Sequence, residues 1–178
     1  MNTSVEEILS EIESLRTDFR ACRSYFPFLP SEAIGTRQLT TAPYYIDHGF
    51  HVSFVFAHPL TAEQRTRNND IGDWINQNVI VRLCALMEYH GMFSSEITID
   101  QNIDGWKELD IARRLRQVFA HKSGKFNPDD CRERTLMEEI IRHFRVASHA
   151  PERFPLDIRM VIDPIFEGCM RYIRGKLA

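Results

Sequence analysis

The segment from Thr61 to Gly91 constrains this chain more than any other. Thr61 with Gln64 forms a capping box, in which a threonine hydroxyl and a glutamine side chain reciprocally satisfy free backbone amides at a helix start, and Gly91 offers a stop roughly 30 residues later. At about 1.5 Å per residue the helix between them would be ~45 Å long. It carries Ile71, Trp74, Ile75, Val79, Leu83, Leu86 and Met87 at helical spacing. Asn68, Asn69, Asp70 and Gly72 are expected to kink it or to split off its first turns. Asn78 and Arg82 lie beside the apolar stripe, at a cleft or at a helix-helix boundary.

The remaining elements follow the same logic. Ser4 and Glu7 make another capping box, and Val5, Ile8, Ile12, Leu15, Phe19 and Cys22 predict a first helix with one buried face, ended by Pro27 and Pro30. Residues 31 to 49 read as loop, and Phe50, Val52, Phe54 and Phe56 alternate as a short strand. Asp104 caps a third helix with Trp106, Leu109, Ile111, Ala112, Leu115, Val118 and Phe119 on its apolar side, closing near His121 and Gly124. Asn127-Pro128-Asp129-Asp130 starts a fourth, with proline in its first turn and acids against the dipole, using Leu136, Ile140, Ile141, Phe144 and Ala147. Residues 156 to 162, LDIRMVI, alternate and are expected to pair with the 50 to 56 strand. Asp163-Pro164 opens a last helix bearing Ile165, Phe166, Cys169, Tyr172 and Ile173. The fold class that results is mainly all-α: an antiparallel bundle of about five helices with a short two-stranded β pair at its edge.

A chain of 178 residues, 43% hydrophobic, suffices for one substantial core, so a single domain over 1–178 is expected. The acidic opening MNTSVEEILSEIE has no apolar stretch of the leader type, and no window approaches ~18 consecutive apolar residues. A cytoplasmic protein with no membrane partner is therefore expected. Cys22, Cys84, Cys131 and Cys169 lie far apart without a zinc or redox spacing, which predicts idle or buried thiols. His48, His51 and His58 are the closest histidine group, but an extended segment puts the first two on opposite faces, so no metal site is expected. Trp74, Trp106 and the phenylalanines are read as core before base-stacking platforms.

Net charge is −3, unhelpful to a nucleic-acid binder, yet it is unevenly spread. Residues 1 to 112 hold 8 Lys+Arg against 16 Asp+Glu, whereas residues 113 to 178 hold 14 against 9. This distribution allows one basic face or head-to-tail attraction between protomers. Of the 22 basic residues 18 are arginine, the side chain suited to bidentate phosphate contacts, although ordinary surface salt bridging accounts for the composition equally well.

Within the basic half, RRLRQVFAHKSGKFNP places Arg113, Arg114, Arg116, Gln117, His121 and Lys122 at the end of the third helix. Arginine followed by histidine after four to six residues should arise by chance roughly twice in such a chain. Arg116/His121, Arg114/His121 and Arg142/His149 all occur, so context must carry the reading. RNA brings its own nucleophile, the 2′-hydroxyl. Cutting it needs a base, cations for the phosphate and an acid for the leaving 5′-oxygen, and histidine with arginine can meet these needs. On an ideal helix Arg116 and His121 are about 140° and ~7.5 Å apart. Two protomers packed with these helix ends together would thus gather two arginines and two histidines around one phosphate.

The string R-x-L-R-polar-x-x-A-H-x-x-G, Arg113 to Gly124, resembles the signature of HEPN domains. The resemblance implies a helical, usually dimeric fold and metal-independent RNA endonuclease activity at a composite dimer-interface cleft, with no cofactor. Arg116 and His121 match the catalytic pair and Gln117 the supporting polar position, more often Asn, Asp or His in the family. Arg113, Arg114 and Lys122 become substrate-binding candidates. RNA, a second copy of the chain, and an antitoxin or activator protein are the implied partners, in toxin-antitoxin, phage-defence or RNA-processing settings. Other HEPN branches are catalytically silent modules that bind nucleotide, RNA or protein, which is the alternative reading. A structural helical adaptor is a third.

Overall fold

In the computed structural model residues 4–41, 52–121, 126–147 and 153–178 are described, the side chains of Thr41 and His121 excepted. Five α-helices lie among them: α1 (Val5–Tyr25), α2 (Ala62–Tyr89), α3 (Trp106–His121), α4 (Cys131–Phe144) and α5 (Asp163–Leu177). With them is a two-stranded antiparallel sheet, β1 (Gln38–Thr41) and β2 (Val52–Val55). The protein is a mainly helical bundle with a small β pair.

Local chemistry sets the helix starts. The Ser4 amide donates to Glu7 Oε2 at 2.7 Å and the Glu7 amide to Ser4 Oγ at 3.2 Å. Thr61 and Gln64 repeat the exchange at 3.0 and 3.2 Å, so two helical ends have their free amides satisfied by their own sequence. At α4 the cap is Asp130, whose carboxylate accepts from the amides of Arg132 and Glu133. Pro128 stands in the preceding turn, outside the first helical turn where it was expected.

The chain divides into two compact units, residues 16–75 and residues 1–15 with 76–178, and α1 and α2 contribute to both. In the unit of residues 16–75, Leu29, Ala33 and Leu60 are buried together under Leu39 and Phe56. The expected break in α2 does not occur, and its polar residues bond the segment that follows α1. Asn69 donates to the Leu29 carbonyl and accepts from the Leu29 amide, at 3.0 and 2.9 Å, and Asn68 donates to the Pro27 carbonyl at 2.7 Å. Gly72 leaves room for the buried Arg23 guanidinium, which a Cβ would strike. Arg23 thus takes the buried place on α1 expected for Cys22, which is exposed. Trp74, expected in the core, is 63% exposed.

Strand pairing differs from expectation. Gln38 to Thr41, read as loop, pairs with Val55 to Val52, whereas Ile158–Ile162 forms a π-helical turn leading into α5. Asp157 accepts from the Met160 amide, and Ile158, Val161 and Ile162 are buried while Met160 is exposed. The same string fits both periods; capping by Asp157 and burial at three- and four-residue spacing favour the helical one.

In the unit of residues 1–15 and 76–178, Ile12, Ile80, Leu83, Met87, Leu109, Ile111, Leu115, Ile140 and Phe166 are fully buried. Gly105, at φ +86°, directly precedes α3, and a Cβ there would overlap the Gly168 carbonyl of α5, so the start of α3 approaches α5 backbone to backbone. Asn76 is buried and donates to the Leu156 carbonyl at 3.1 Å.

Candidate functional site around the end of α3

Helix α3 buries Leu109, Ile111, Ala112, Leu115, Val118 and Phe119, which leaves Asp110, Arg113, Arg114, Arg116 and Gln117 toward its accessible sides. The helix runs unbroken to His121, its last residue. Arg116 and the histidine are thus separated by helical geometry, about 140° around the axis and ~7.5 Å along it. The His121 side chain, Lys122 and His149 lie outside the described residues, as do His48 and His51. Arg142 and His58 are exposed.

Each arginine of the triplet meets a carboxylate of its own chain. Arg113 Nη2 stands 2.9 Å from Asp110 Oδ1, and Arg114 Nε 3.0 Å from Asp110 Oδ2. Arg114 also pairs with Glu139 of α4, which Lys107 contacts as well. Arg116 Nη1 lies 2.5 Å from Glu88 Oε1 in the last turn of α2, with the two side chains 30% and 34% exposed. The hydrogen bond to Glu88 raises the Arg116 pKa further above its ordinary value, against the opposing effect of burial, so the guanidinium is a fixed charge. Burial opposes ionisation of Glu139, but hydrogen bonds from Lys107 and Arg114 outweigh it and hold its carboxyl below the ordinary value. Gln117 is exposed and has no hydrogen-bond partner among the described residues.

Between α3 and α4 runs a groove of about 600 Å3, its charged lining formed by Arg114 of α3 and by Asp130, Arg132 and Glu133 at the start of α4, with Gln117, Val118 and Leu136 among the uncharged residues. Its volume suits a small organic ligand. Nothing in the sequence signalled that Gln117 borders a groove.

Two further groups escaped the sequence. Glu88 has no local signal, since its partner Arg116 belongs to another helix. Glu108 gathers His143 of α4 and Arg171 of α5: its Oε1 faces His143 Nε2 at 3.3 Å and accepts from Arg171 Nη2 at 3.2 Å, while Arg171 Nε reaches Asp104 at 2.9 Å. This carboxylate bridges three helices and fixes the imidazole orientation. Among the described residues no three His, Cys, Asp or Glu side chains gather in a manner able to hold a metal ion. No helix among them is long and apolar enough to cross a membrane.

Compared with known protein families, curated proteins and solved structures, the chain matches none of them.

Proposed function

We propose that this chain is a HEPN-type, metal-independent endoribonuclease acting as a homodimer, with Arg116 and His121 as its catalytic pair. The observation that carries the reading concerns the described part of the signature string: Arg113 to His121 belong to α3, and Arg116 and Gln117 are accessible on it.

The chemistry follows from the residue types. One His121 takes the proton of the 2′-hydroxyl, whose oxygen attacks phosphorus. The partner's His121 gives a proton to the departing 5′-oxygen, and Arg116 neutralises the charge gathered on the phosphoryl oxygens. Gln117 orients substrate or imidazole, and Arg113, Arg114 and Lys122 steer the backbone phosphates. The products carry 2′,3′-cyclic phosphate and 5′-hydroxyl ends. Such an activity calls for an antitoxin or activator that controls it, as in toxin-antitoxin and phage-defence systems.

A second reading rests on the Arg116–Glu88 contact. A guanidinium already satisfied by a carboxylate suits a catalytically silent module that binds nucleotide, RNA or a protein partner through other groups. The deciding experiment is cleavage of a mixed RNA pool in EDTA by wild type, Arg116→Ala and His121→Ala, with the product ends identified. The ribonuclease reading expects cyclic-phosphate ends and a loss of about 10²- to 10⁴-fold in His121→Ala. Equal activity in wild type and His121→Ala, or none in either, sinks it in favour of the silent module.

A further inference from the structure

We infer that the groove between α3 and α4 is a subsite for one nucleotide of single-stranded RNA, on the helix that carries Arg116. The inference rests on the ribonuclease reading for its location and on the groove itself for its chemistry.

Three features point to a nucleotide. First, the cavity is about 600 Å3, and its α3 wall holds Arg114 and Gln117, one helical turn apart, while Arg116 between them turns about 100° away from Gln117 toward Glu88 of α2. Second, its uncommitted polar groups are of the kind that reads a nucleotide. The Gln117 amide offers donors and an acceptor to a base edge, and exposed Arg132 offers a cation to the neighbouring phosphate. Neither has a partner among the described residues. Val118 and Leu136 supply an apolar floor for the face of a base.

Third, the two acids of the lining, Asp130 and Glu133, are matched by its two arginines, Arg114 and Arg132, and accept from backbone amides of the chain. Asp130 accepts from the amides of Arg132 and Glu133, and Glu133, only 3% exposed, accepts from the Asn127 amide at 2.7 Å. The Arg132 and Glu133 amides of the first turn of α4 are taken by this cap, which makes the Arg132 side chain the phosphate contact. Unstacked bases of single-stranded RNA fit such a groove, whereas a paired duplex keeps its bases stacked inside.

The test uses a fluorescent 2′-O-methyl hexanucleotide of mixed sequence, which lacks the free 2′-hydroxyl and binds without being cut. Anisotropy titrations compare wild type with Arg132→Ala, with Thr135→Trp, which fills the groove, and with Arg134→Ala, an exposed α4 arginine outside the lining. Thermal melts establish that each variant is folded. The expected result is a Kd weakened about tenfold by Arg132→Ala and by Thr135→Trp, with less than about twofold change for Arg134→Ala. No binding by wild type, unchanged binding by both groove variants, or an equal loss in Arg134→Ala overturns the subsite. His121-dependent RNA cleavage is scored separately. Groove-dependent binding without such cleavage retires the enzyme and keeps the subsite; cleavage without groove dependence does the reverse.

Discussion

Arg116 of α3 and Glu88 of α2 stand 2.5 Å apart, so the cation proposed to hold a scissile phosphate is held in this chain by one of its own carboxylates. Both side chains remain about one-third exposed, which makes the contact an exchangeable one. On the proposed reading, a phosphate entering the site would take the place of Glu88 without stripping a buried charge of its partner.

Glu88→Gln should therefore separate binding from stability. Loss of a partly exposed ion pair costs below ~1 kcal/mol, while freeing Arg116 should tighten binding of the non-cleavable oligonucleotide by up to roughly fivefold. Urea unfolding and anisotropy read the two quantities. Weaker binding in the variant would show that Glu88 positions Arg116 instead of competing with the phosphate.

Glu139 gives a pH-dependent expectation. Its folded pKa is depressed, because Lys107 and Arg114 outweigh the burial that opposes ionisation, so the unfolded chain binds this proton more readily. The stabilisation is present above the ordinary carboxylate value of 4.5 and is lost as pH falls through the folded value. Glu139→Gln should cost about 1–3 kcal/mol near pH 7, and the difference from wild type should shrink below pH 4.5. Urea titrations at a series of pH values measure it; a pH-independent difference would contradict it.

The cysteines should react in two classes. Cys22 and Cys131 are exposed, whereas Cys84 and Cys169 are buried. Burial pushes the Cys84 thiol up to about 12 and the Cys169 thiol well above its ordinary value. In the native protein a thiol reagent at pH 7.5 should label Cys22 and Cys131 alone, as peptide mass spectrometry can establish. The raised values also mean that the unfolded chain gives up these protons first. Stability should accordingly fall as pH rises from the ordinary thiol value of 9.0 toward 12.

Gly105→Ala should be among the most damaging small substitutions. The residue sits at φ +86°, and its new methyl group would overlap the Gly168 carbonyl. A loss of at least ~3 kcal/mol is expected by denaturant unfolding. By contrast Gly35, at φ +85° with open space around it, should lose no more than about 1–2 kcal/mol on the same change.

The helices were legible because their instructions are local. Ser4 with Glu7, and Thr61 with Gln64, make in the folded protein the reciprocal bonds that their spacing announces, and the α3 stripe is buried from Leu109 to Phe119. Legibility failed where one string served two periods, as in LDIRMVI, or where a strand was short and polar, as in Gln38–Thr41. It failed again at Trp74, which helical spacing put in the core and the fold left exposed.

For the candidate site the division is sharper. The sequence by itself determined that Arg113, Arg114, Arg116 and Gln117 share one helix that reaches His121, because caps, turns and apolar periodicity act over a few residues. Only the tertiary structure decided that Glu88 claims Arg116, that Glu139 joins Arg114 to Lys107, and that Gln117 opens on a groove facing Arg132. Those partners come from separate helices, and helix-on-helix packing, set by the fit of whole buried faces, carries no short-range signal in the chain.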